Sequence, residues 1–130
     1  MNTEDDRGKD QARCQIESIV EMVAAVNNAE TDKEQEDAEE RIQEDPLSVE
    51  VRTGWHTLDA EDKKPTEFTI LLCWGGPAVR IIGDLDEHGQ PENPVVEYQD
   101  WGTPWTEYRG TTDEQDAALL AYCQQFYFGE

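Results

Sequence analysis

A chain of 130 residues has room for one domain with one modest core, and its 31 Asp and Glu against 10 Lys and Arg give a formal net charge of −21. That balance disfavours direct binding to DNA or RNA, which is dominated by Lys and Arg on phosphates, and it repels anionic bilayers. No apolar run approaches the roughly 20 residues that span a membrane.

The opening MNTEDDRGKD is polar, charged and without period. Residues 1 to 10 are therefore expected to form a disordered acidic tail rather than a secretory signal, with 11 to 130 as a single cytoplasmic domain. From Ala12 to Asn27, the residues Ile16, Ile19, Val20, Val23 and Val26 recur at helical spacing, and Asn27-Asn28 stops the run. The stretch TDKEQEDAEERIQEDP predicts a second helix. Thr31 with Glu34 has the form of a capping box, and Asp45-Pro46 closes the segment because the residue before proline avoids helical dihedrals. Only Ala38 and Ile42 are apolar there, so this helix can bury little.

The period then changes. In LSVEVRTGW, Leu47, Val49, Val51 and Trp55 alternate with Ser48, Glu50 and Arg52, the pattern of a half-buried strand. FTILLCW is apolar on nearly every residue, as in the middle of a sheet. Gly75-Gly76-Pro77 turns it into AVRIIGDL, and after the loop DEHGQPENP comes a fourth strand, VVEYQDW. The irregular bend QDWGTPWTEYRG leads to a closing helix from Thr112 to Phe128, with Leu119, Tyr122, Cys123 and Phe126 on one stripe. The expected fold is α+β: an antiparallel four-stranded sheet with two N-terminal helices and one C-terminal helix packed on it.

Nothing in this order builds a catalytic constellation. His56 sits at a strand end and His88 in a hydrophilic loop, and no GxSxG, HExxH or GK[ST] occurs. Gly75-Gly76-Pro77 is no phosphate cradle, since no helix start follows it and Pro77 has no N–H to donate. The chain is read as a non-enzyme without cofactor. Cys14, Cys73 and Cys123 are odd in number and widely spaced, which fits reduced thiols and no metal role. The loop DLDEHG offers Asp84, Asp86 and Glu87 but lacks the spacing of a calcium-binding loop, leaving at most a weak cation site.

What remains is the acid. Between Glu30 and Asp45 there are nine acids against Lys33 and Arg41. Glu36 and Glu40 stand at i and i+4, as do Glu40 and Glu44, about 6 Å apart along a helix axis. Like charges so placed cost a few tenths of a kcal/mol per pair. Such a row is either a solvated face or an imitation of a phosphate backbone offered to Lys and Arg. On the second reading the partner-binding residues are Glu34, Glu36, Asp37, Glu39, Glu40, Glu44 and Asp45. The strand acids Glu50, Glu97 and Asp100 would extend the surface. Trp101, Trp105 and Tyr108 in the bend, with Glu107, would supply aromatic anchors of the kind that dominate interfaces. At least one of the two tryptophans is expected to plug the core, leaving Asp100, Glu107 and Tyr108 at the rim.

The stretch LCWGGPAVRIIGDLDEHGQPENPVVEYQDWGTPWTEY resembles small uncharacterised proteins encoded in bacterial phages and prophages, a likeness that covers roughly the C-terminal two-thirds. By charge and size the chain also resembles the anti-CRISPR and antirestriction class of DNA mimics. The resemblance implies an inhibitor of a host defence or nucleic-acid-binding protein. Its partner would be a basic protein of the bacterial host, such as a CRISPR–Cas or restriction component, and a homodimer would double the acidic surface. The competing expectation is a small-molecule binding module in which Trp101, Trp105 and Tyr108 line a pocket.

Overall fold

The computed structural model describes residues 3–59, 64–100 and 103–128 of the chain. Its elements follow the order α1 (Thr3–Asn27), α2 (Asp32–Glu44), β1 (Ser48–Thr53), β2 (Pro65–Cys73), β3 (Ala78–Leu85), β4 (Pro91–Gln99), β5 (Thr106–Glu107) and α3 (Asp113–Cys123). The strands form one antiparallel meander in the order β1-β2-β3-β4-β5. The fold is the expected α+β arrangement, with a short fifth strand added inside the aromatic bend.

All three helices lie on one side of the sheet. α1 packs on α2, α3, β3 and β4, and α3 packs on β4. Partners across an antiparallel ladder share a face, so the register sorts the side chains. Ile70 opposite Ile81, and Ile81 opposite Val96, point to the helices and are buried with Phe68, Leu72 and Val79. Ile16, Ile19, Met22 and Val23 of α1 and Leu119, Tyr122 and Cys123 of α3 complete the core. After α3, Phe128 brings its ring to 4.9 Å from Phe68 and covers β2.

The opposite face carries Glu67, Thr69 and Leu71 of β2, Arg80 and Ile82 of β3, and Val95 and Glu97 of β4. It has no helical cover and holds a shallow groove of about 550 Å³.

The N-terminus departs from the composition-based reading. Where a disordered tail over residues 1–10 is expected, α1 already runs from Thr3. Gly8 is buried, and its N–H donates to Asp100 Oδ2 at 3.2 Å. A β-carbon at Gly8 would stand 2.8 Å from both Asp100 Oδ2 and Tyr98 Cδ2. A residue without a side chain thus lets the helix reach the sheet, a contact that composition does not encode.

Candidate partner-binding surface

Thr31 caps α2 as its sequence predicts, its hydroxyl accepting the Glu34 N–H at 3.1 Å. The carboxylate of Glu34 does not return to Thr31, however, but accepts the N–H of Glu30 at 2.9 Å. The complete reciprocal box is at α3, where Thr112 accepts from Gln115 N–H and the Gln115 side chain accepts from Thr112 N–H.

α2 buries only Ala38 and Ile42. Lys33 pairs with Asp37 at 3.1 Å, and this is the one ion pair on the helix among the described residues. Glu36, Glu40 and Glu44 are exposed and Glu39 is half-buried. No Lys or Arg of the described residues pairs with these four acids. Their charge is left to solvent.

The remaining predicted residues divide differently, and several are corrected by the structure. Asp45 is half-buried and accepts the Tyr122 hydroxyl at 2.8 Å, so it serves the α2–α3 junction rather than an outer surface. That hydroxyl is held protonated well above the usual tyrosine range, first by burial and then by the bond to Asp45 and its charge. Asp100 is 5 % exposed and receives Gly8. It is a structural acceptor, not a rim residue. Glu97 faces the protein's own Arg80, whose Nε and Nη2 lie 2.8 and 2.7 Å from Oε1.

Trp105 explains part of the aromatic bend. The Arg80 guanidinium carbon sits 4.1 Å from the centre of the indole ring, so Arg80 is held between the ring and Glu97. Partial burial of the pair reduces solvent screening relative to a fully exposed ion pair. The bend itself is tied by Thr103, whose hydroxyl accepts the Asp100 N–H and donates to the Asp100 carbonyl. Tyr108 donates its N–H to Val96 at 2.7 Å and packs its ring edge-on against Tyr98, 6.5 Å away. Glu107 is exposed beside Arg109 at 3.4 Å. Trp101 lies outside the described residues.

Neither Trp105 nor Tyr108 lines the groove on the open face, whose walls include Arg52, Glu67, Thr69, Arg80, Ile82 and Val95. Asp86 spends its carboxylate inside its own turn, accepting the N–H groups of His88 and Gln90 at 2.8 and 2.9 Å. Those bonds, that to Gln90 first, hold its pKa below the ordinary value. Among the described residues no three His, Cys, Asp or Glu side chains converge to hold a metal ion, and no helix is long and apolar enough to cross a membrane.

Sequence reasoning missed Arg80. The signal was available: a lone arginine inside AVRIIGDL and a lone glutamate inside VVEYQ are opposite charges within apolar strands that pair. No family model, curated protein or solved structure matches the chain.

Proposed function

We propose that the chain is a non-enzymatic, phage-derived inhibitor that works in the bacterial cytosol by occupying a basic nucleic-acid-binding groove of a host protein, an anti-CRISPR-like role. The observation that carries this reading is the uncompensated acid of α2. Glu36, Glu39, Glu40 and Glu44 lie within nine residues, and the rise from the first to the last is about 12 Å, or about one charge per 4 Å. A single DNA strand presents about one per 3.4 Å. The spacing supports a match to Lys and Arg arranged to grip phosphates. A net charge of −21 adds long-range attraction to such a groove and speeds encounter. The other expected contact residues divide in this reading: Glu50 and Glu107 remain at accessible positions, while Glu97, Asp100 and Asp45 are committed to the fold.

The test is displacement. Host DNA-binding proteins, CRISPR–Cas and restriction components among them, are loaded with labelled duplex and titrated with the chain at rising salt. Displacement of duplex from at least one of them is expected. The triple variant Glu36→Gln, Glu40→Gln, Glu44→Gln should lose it while keeping its circular dichroism spectrum. Displacement by the triple variant equal to that of the parent, or none by the parent, would overturn the reading.

A further inference from the structure

The two edges of the sheet are finished differently. One ends in β5, two residues long, which leaves little backbone to extend. The other ends in β1, a six-residue strand that among the described residues pairs only with β2. Its outer N–H and C=O groups form an open ladder. Val49 and Val51 lie on the helix side, opposite the buried Ile70 and Phe68, yet among the described residues no helix packs extensively on β1. They are 37 % and 45 % exposed, Leu47 just before them is 63 % exposed, and Trp55 just after is fully exposed. β1 carries no proline to block further pairing.

We infer that β1 is a self-pairing edge, and that its occupant is the β1 of a second copy running antiparallel to it. This proposal is independent of the acidic-surface reading. In an edge strand only alternate residues turn their N–H and C=O outward, so a two-fold antiparallel pair can join only residues of matching parity. That restriction puts both helical layers on the same side of a continuous ten-stranded sheet.

Charge then selects among the allowed registers. With Val51 opposite the partner's Val51, Glu50 faces the partner's Arg52, and the reciprocal contact forms across the two-fold axis. Continuing the alternation to the end of the strand sets Val49 opposite the partner's Thr53, and brings Leu47, just before β1, near the partner's Trp55, just after it. Val49 and Val51 find cover on the helix side, while the ion pairs lie on the open face. Arg52 already contacts Glu67 within its own chain, so in the dimer it stands between two carboxylates. The two neighbouring registers are disfavoured, because one sets Glu50 against the partner's Glu50 and the other Arg52 against the partner's Arg52.

The test is a charge exchange read by sedimentation equilibrium on the full chain at about 0.15 M salt, where the Debye length is about 8 Å. The parent chain is expected to be a dimer. Glu50→Arg alone and Arg52→Glu alone each set like charges together at both ends of the seam and should raise the dissociation constant about tenfold or more. An equimolar mixture of the two variants restores opposite charges at both positions. It should regain dimers containing one chain of each, which also shows that both variants fold. A parent chain that stays monomeric to high concentration overturns the proposal, even if its edge binds another protein. So does a dimer that both single variants leave intact, or a mixture that fails to associate.

Discussion

Glu40 offers the most direct measure of what the acidic helix costs. It is exposed, makes no ion pair among the described residues, and stands one turn from both Glu36 and Glu44. Each like-charge pair at this spacing destabilises a helix by about 0.2–0.5 kcal/mol. Glu40→Gln relieves two of them and changes helix propensity little, so it should stabilise the protein by about 0.4–1 kcal/mol. The position lies in the C-terminal half of α2, where the helix dipole acts in the same direction. For a domain of this size the gain corresponds to about 2–4 °C in Tm. Thermal and urea unfolding followed by circular dichroism would read it at low salt and again at about 1 M, where a Debye length of about 3 Å screens the repulsion and should erase the gain. Asp37→Asn is the control, because it removes a charge already paired with Lys33 and should gain less. A Glu40→Gln variant that is no more stable than its parent at low salt, or equally improved at both salts, would refute the reasoning.

Other parts of the structure give equally specific expectations. Gly83→Ala should cost about 1–3 kcal/mol in urea unfolding, since the new β-carbon would lie 2.6 Å from the Phe68 ring and 2.8 Å from the Glu92 carbonyl; an unchanged midpoint would contradict that geometry. Tyr122→Phe should cost about 1–2 kcal/mol by leaving half-buried Asp45 without its donor. The raised Tyr122 pKa also fixes a sign: its contribution is complete below the unfolded value near 10 and is lost as pH rises beyond it. Cys123, pushed up to about 12 by burial, loses its contribution as pH climbs from about 8.5 towards that value. The parent's urea midpoint should therefore fall above about pH 9, and Tyr122→Phe should flatten the decline above about pH 10. Under native conditions a thiol reagent should label exposed Cys14 quickly and buried Cys123 only on unfolding, which mass spectrometry of the labelled peptides would establish.

Local pattern made much of the fold legible. AVRIIGDL forms β3 over the residues its composition predicts, and Thr31 caps α2 where the capping signal stands. What sequence did not disclose depends on partners far along the chain. The N-terminal reach of α1 depends on Gly8 meeting Asp100, 92 residues away. Asp45 reads as one more acid of a charged run until Tyr122 is seen to donate to it across 77 residues. Glu97 reads as a surface acid, and Trp105 as a core plug or an outer anchor, until Arg80 is found between them. The α2 carboxylates were legible because a helix with two buried side chains leaves its other positions to solvent.

The unequal sequence distances within this fold also bear on how it is made. The sheet is a meander of neighbouring strands and can zip up locally, but α1 meets only α2 nearby in sequence and finds the rest of its cover on β3, β4 and α3. α1 therefore leaves the ribosome well before most of its cover exists. A nascent chain that has not yet reached β4 and α3 leaves the Ile16, Ile19, Met22 and Val23 ridge only partly covered, by α2 and β3, and at this stage the chain is more exposed to misassociation than once folded.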